Sequence, residues 1–335
     1  MPTFCRHNRL VENCPICSKS ASRVSSTSTR GVARRERPAA DRPARAPKRS
    51  TSGGMTVRRL ARAVDDGYEN DLVPGLRSSE DAARLADEMT FAAARVRQLS
   101  SDPPGLYAEV ANAADREEAA WLAFLIAYLS PLEDAEDPFA GIAAVRTTWA
   151  SGEIPDLEGA RTGPRTALDP KRGAAAMVAY RAWAERGGGQ IAALAGEPTW
   201  TPQHRYDRAF ERLGLPGFGR PHRVELLVTA HHLGLVELDP WTLHLSAATP
   251  TDPVALAAKR ILGIGDPVLL QRRQRELAHA ADVPVEALDL ALYNWAAPTP
   301  EARVTAGSSA TADPDERVRV AAALGVTAQD EQPTP

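Results

Sequence analysis

The sequence has no cysteine beyond residue 17, no apolar run of membrane-spanning length and no apolar core at its N-terminus. Three cysteines cannot make a paired disulfide framework. A membrane span needs about 18 consecutive apolar residues, and the richest stretch here, AAWLAFLIAYL at 119–129, has the length of a buried helix. The polar, basic start lacks the hydrophobic segment of a secretory signal, so a cytoplasmic location is expected, without membrane association. A nucleophile elbow and an HExxH metal motif are both missing. GGGQ at 187–190 has no lysine to grip phosphate and reads as a helix stop and hinge. No internal repeat is visible. Strand character is confined to RVELLV at 223–228, which sits inside a longer helical pattern.

What is present divides unevenly along the 335 residues, of which 43 % are apolar, enough for a substantial core. The net charge of −3 hides an asymmetry: residues 1–60 hold 14 Lys and Arg against 3 Asp and Glu, leaving 26 against 40 in the rest. A basic arm on an acidic body suggests a polyanionic partner or simply a solvated tail. The arm opens with CRHNRLVENCPIC. Cys5, His7, Cys14 and Cys17 are four ligands suited to zinc, and Cys14-Pro-Ile-Cys17 can close on one ion as a knuckle. A redox CxxC or an incidental cluster is the competing reading. Four protein ligands leave no open position, so the expected zinc is structural. We place the knuckle at 1–19 and a disordered basic linker at 20–54, where too few bulky apolar residues exist to offset ordering entropy.

From residue 55 helical signals repeat, and the expected class is all-α, with the main domain at 55–300 and a C-terminal helix and tail at 301–335. Ser78 opens a capping-box variant before an apolar-periodic run. Helices are expected from Tyr107 to Leu129, after Asp137-Pro138, and from Lys171 to Arg186. Further ones are expected over 202–213, 220–233, 253–262, 267–281 and 284–295, and after Asp313-Pro314. Asp239-Pro240 carries the same signal and predicts a helix over 240–246. His231 and His232 are adjacent, so on a helix they diverge by about 100° and cannot share a metal. They read as surface or lightly buried residues.

Between the helices at 202–213 and 220–233 lies LPGFGR, residues 215–220. Leu215 and Phe218 can pin a tight turn, Gly217 and Gly219 permit close backbone approach, and the following helix offers free N–H groups and its positive end to a phosphate. Arg220 and Arg223 add charge. Alone, the motif is also an ordinary turn between helices. Its downstream context, LPGFGRPHRVELLVTAHHLGLVELDPW, places Asp239 24 positions after Leu215. This stretch resembles the helix-hairpin-helix DNA glycosylase superfamily, in which such a hairpin is followed by an essential aspartate about two dozen residues on. The resemblance implies a helical glycosylase-like domain over roughly 105–295. It also implies DNA contacts from Leu215, Pro216, Gly217, Gly219, Arg220 and Arg223, and a catalytic role for Asp239. Locally, Asp239 also reads as a helix cap.

Two departures narrow the implication. Lyase members carry a lysine after the hairpin arginine, where this chain has Pro221. Iron–sulfur members need four cysteines after the aspartate, and this chain has none there, so no cluster is expected. The layout is most similar to the α-glutamyl/putrescinyl thymine pyrophosphorylase family, through the N-terminal Cys/His cluster and the LDLALYNW helix at 288–295. That resemblance implies thymine hypermodification: an amine or amino-acid donor displacing pyrophosphate from an activated 5-hydroxymethyl-pyrimidine in DNA, in a nucleoid-associated protein. The alternatives are a monofunctional DNA glycosylase without lyase activity and a non-enzymatic DNA-binding adaptor. The base would be extruded from the stack. Tyr128, Ser130 and Asn294 are candidates to line its pocket, against the plainer readings of core tyrosine, helix-end serine and core asparagine.

Overall fold

Residues 64–172, 174–299 and 302–327 are described by a computed structural model, and every regular element among them is helical. The zinc ligands Cys5, His7, Cys14 and Cys17, the linker at 20–54 and the expected helix start at Met55 lie outside the described residues. All the described residues belong to a single unit of contacts.

Among the described residues twelve α-helices follow one another: α1 Ser79–Ser101, α2 Leu106–Asn112, α3 Arg116–Leu129, α4 Ala140–Val145, α5 Ala175–Arg186, α6 Gln190–Ala195, α7 Pro202–Arg212, α8 Arg220–His232, α9 Pro253–Leu262, α10 Pro267–Ala280, α11 Ala287–Trp295 and α12 Pro314–Ala323. A 3₁₀ turn, Leu245–Ala247, precedes α9. Four helices start in the same way. Thr201, Asp252, Asp266 and Asp313 each accept a hydrogen bond from a first-turn N–H, with a proline at the next position. The cap satisfies an otherwise orphaned donor, and the proline fixes φ where its missing N–H costs nothing. Ser78 caps α1 and Asp115 caps α3.

The helices divide into two apolar clusters. The first surrounds α3, whose 14 residues include ten buried ones. The Trp121, Phe124, Tyr128 and Tyr180 rings pile against one another there, and α2 and α4 to α8 complete the cluster. The second pairs α1 with α11 and adds α9, α10 and α12, with Met89, Leu288, Trp295 and Val320 at its centre. Among the described residues no helix is long and apolar enough to cross a membrane.

Where the two clusters meet, charges alternate through the interior. Arg95 on α1 pairs with Glu225 on α8, and Arg165 lies 3.6 Å from Glu225 and 3.1 Å from Asp289 on α11. Arg220, the first residue of α8, lies 3.2 Å from Asp289 and 2.7 Å from Asp252. Three guanidiniums thus face three carboxylates along one continuous path. Burial opposes charge on Asp289 and on Glu225, but the guanidiniums beside each outweigh it and hold both carboxyls below their ordinary range.

Candidate nucleic-acid interface and its carboxylates

The turn after α7 forms because its apolar residues have somewhere to go. Phe218 is buried in the first cluster, its ring 5.2 Å from that of Phe124, and Leu215 packs on the same cluster. The Phe218 N–H donates to Leu215 O at 3.0 Å. Gly217 bridges the two at φ +81, a conformation that disfavours any side chain. Gly219, itself exposed, then caps α8 with no side-chain hydrogen bond, ahead of a first turn that is buried at Arg220 and half-buried from Pro221 to Arg223. Pro216 and Gly219 are exposed. Leu215, Gly217, Gly219 and Arg223 line one broad, open depression, joined by Arg172, Thr249 and Thr251. Arg223 lies over the Phe210 ring at 4.1 Å and donates to Phe210 O, while its Nε has no partner. This is a shallow basic surface beside a helix N-terminus, suited to a polyanion's backbone.

Arg220 requires a correction. It borders the depression, but its side chain is 0 % exposed. Its Nε and Nη2 donate to Asp252, and its Nη1 donates to Leu243 O and Asp289. The guanidinium expected to grip a phosphate is instead spent on the interior, where two acidic residues and a carbonyl use its donors. One of the residues that hold it carries a readable signal: Asp289 in LDLALYNW is a lone charge in an apolar run, which buried pairing explains.

The three residues considered for a base pocket are not brought together. Ser130 lines a small cavity with Ile126, Pro131, Arg165, His222 and Glu225, and this cavity admits about one water molecule. Tyr128 is buried in the aromatic pile beside Phe124. Asn294 is buried on α11, donating to Glu88 and Val304 O and accepting from the Val304 N–H. Asn294 therefore anchors the 304 segment, as the plainer reading held. Ser130 itself sits at φ 63, ψ 139, a costly backbone state for a non-glycine residue. His222 donates from Nε2 to Arg165 O at 3.0 Å, and its buried Nδ1 is unpartnered. Burial and then the Arg165 charge push this ring down to about 4, so it is neutral.

Asp239 does not cap a helix. Residues 237–244 run without helical structure, which corrects the expected helix over 240–246. The strap is tied to α7 instead: the Asp239 N–H donates to Pro202 O, Trp241 Nε1 donates to Asp207, and the Tyr206 hydroxyl donates to Thr242 O. The Asp239 side chain is exposed and lines neither the depression nor the cavity. Its neighbourhood contains a second carboxyl that the sequence did not single out. Burial raises the Asp207 pKa, with the Asp239 charge adding to the effect. His244 Nε2 lies 3.4 Å from Asp207, and its ring stacks at 3.8 Å on Phe210, the same ring that Arg223 lies over. Burial, then the Arg223 charge, push His244 down to about 4.

Comparisons with known protein families, with curated proteins and with solved structures found no match. Among the described residues, no group of three or more His, Cys, Asp or Glu side chains is arranged to hold a metal ion. The functional reading therefore rests on the hairpin, the strap and the sequence around them.

Proposed function

We propose that this protein binds DNA through the Leu215–Gly219 turn and acts on an extruded pyrimidine, with Asp239 as the reacting carboxylate. The observation that supports it most is the N-terminus of α8, capped by no side chain and presented by a glycine turn in a depression edged by Arg172 and Arg223. Backbone amides there contact any sequence alike, which is what an enzyme working on one base among many requires. Asp239 follows α8 on the strap and is open to solvent, so a substrate could reach it. In the transferase reading, an amine nitrogen attacks the methylene of a pyrophosphorylated 5-hydroxymethyl-pyrimidine. The C–N bond forms, the C–O bond to pyrophosphate breaks, and Asp239 takes the amine proton. In the glycosylase reading, Asp239 stabilises the developing sugar cation or activates water. The N-terminal Cys5, His7, Cys14 and Cys17 would hold a structural zinc.

A second reading, a DNA-binding adaptor without activity, is favoured by one observation. The cavity at Ser130 is water-sized, not base-sized. Asp239→Asn separates the readings. An exposed side chain off any helix cap should tolerate the change, so melting should stay within a few degrees and DNA binding should persist. Activity on DNA containing the activated base should fall about 10²–10⁴-fold, the usual worth of a general base. Release of the free base with an abasic site would select the glycosylase. Full activity in Asp239→Asn would remove Asp239 from the chemistry, and a wild type that neither transfers an amine to an activated base nor releases a free base would leave the adaptor.

A further inference from the structure

Ser100, the penultimate residue of α1, meets His232, the last residue of α8, and Glu286, which immediately precedes α11. Ser100 Oγ lies 2.8 Å from His232 Nδ1, and His232 Nε2 lies 3.0 Å from Glu286 Oε1. An ionised carboxylate can only accept, so in the neutral ring Nε2 carries the proton and Nδ1 presents its lone pair to the serine hydroxyl. The His232 and Glu286 side chains are only 12 % and 11 % exposed, while Ser100 is open to solvent. His231 packs edge-on against the ring of His232 at 4.7 Å, further fixing it. A hydroxyl in reach of a base, with that base oriented by a third group, is the arrangement that activates a serine nucleophile.

We propose that Ser100, His232 and Glu286 form a second reactive site, separate from the hairpin, that takes small activated carboxylic esters. Ser100 Oγ bonds to the ester carbonyl carbon while its proton passes to His232 Nδ1. The bond to the leaving alkoxide then breaks, and His232 returns the proton to it. Water, activated by the same nitrogen, cleaves the acyl-serine to the acid and restores Ser100. Glu286 keeps the ring in the productive tautomer and stabilises its charged form. The carbonyls at the C-terminus of α1 disfavour a free alkoxide, so proton removal must accompany attack, and the reaction depends on His232. General-base assistance is worth about 10²–10⁴-fold by itself, and an oxyanion site adds about 10²–10³-fold where one exists. Acylation or phosphonylation of Ser100 is therefore a more direct readout than turnover.

The test uses the full chain and a fluorophosphonate probe, which loses fluoride as the serine–phosphorus bond forms, with the modified residue located by peptide mass spectrometry. Ser100 should react at least about 10²-fold faster than its exposed neighbour Ser101, and the difference should vanish in denatured protein. His232→Gln should lower the rate about 10²-fold or more. Glu286→Gln, which keeps the side-chain shape without the charge, should lower it about tenfold and serves as the test if His232→Gln does not fold. Hydrolysis of p-nitrophenyl acetate above background should disappear in Ser100→Ala. If Ser100 reacts no faster than Ser101, or at an unchanged rate in folded Glu286→Gln, the three side chains are only a clasp between helices and the site does not exist.

Discussion

Arg220 shows how far one residue's environment can redirect its chemistry. In the sequence it closes LPGFGR and looks like a phosphate ligand, yet it joins Asp252 and Asp289 in the interior. Burial works against its charge, and the two carboxylates more than compensate, raising its pKa. Removing one member of such a set strands the others. Arg220→Ala should therefore cost about 3–5 kcal/mol in urea unfolding. A surface phosphate ligand would instead give an unchanged midpoint with weaker DNA binding. The histidines set the acid limit. His222 and His244 are held neutral at about 4 by burial, followed by nearby arginine charges. In the unfolded chain each would titrate near 6.5, so between about 6.5 and 4 the unfolded state binds more protons and stability falls as pH falls. Each ring can contribute up to about 3 kcal/mol across that window. The lowered carboxyls of Asp289 and Glu225 lose their contribution only below the ordinary carboxylate range. Replacing His222 and His244 with glutamine should flatten the dependence of the unfolding midpoint on pH between 6.5 and 4. An equally steep dependence in the double variant would contradict this assignment.

Several helices are legible from a cap in the local sequence, although Asp137-Pro138 misses: α4 begins only at Ala140, with Phe139 at the cap position. Thr201-Pro202, Asp252-Pro253, Asp266-Pro267 and Asp313-Pro314 each begin a helix as expected. Asp239-Pro240 has the same letters and begins none, because its neighbours' hydrogen-bonding groups are taken by α7: Trp241 reaches Asp207 and Thr242 O accepts from Tyr206. The reverse happens at α6. GGGQ does stop α5, which ends at Arg186 with Gly187 as its cap, but Glu117 on α3 then accepts from the N–H groups of both Gln190 and Ile191 and starts a new helix. A cap supplied from 73 residues away leaves no trace in the local pattern. α5 starts at Ala175, later than the expected Lys171. The hairpin was readable because its requirements are local: two apolar anchors, and a glycine at positive φ between them. The site around Asp239 was readable only in part. The resemblance of LPGFGR and its downstream context singles out Asp239, but Asp207 and His244 come near it only through the fold of the strap against α7.

At the scale of the whole molecule, the basic arm and the helical body carry separate parts of the proposal. If Cys5, His7, Cys14 and Cys17 bind zinc, the purified protein should carry about one equivalent. Cys14→Ser with Cys17→Ser should lose it without changing the helical signal of the body, and equal zinc in both proteins would remove the knuckle. The hairpin decides more. Gly219 is exposed at φ −74, and a Cβ there would meet only ordinary contacts, 3.7 Å from Pro221 and 3.8 Å from His222. Gly219→Asp therefore fits, and aspartate caps a helix at least as well as glycine, so stability should hold or rise by a few tenths of a kcal/mol. The same carboxylate would occupy the place of the proposed phosphate. The most direct measurement is the affinity of the full chain for duplex DNA across a salt series, with and without Gly219→Asp. If the turn grips phosphate, the variant is as stable as the wild type and binds at least about tenfold more weakly, with a shallower salt dependence as fewer counterions are released. Equal affinity and equal salt slope in the two proteins would mean that the turn does not touch DNA.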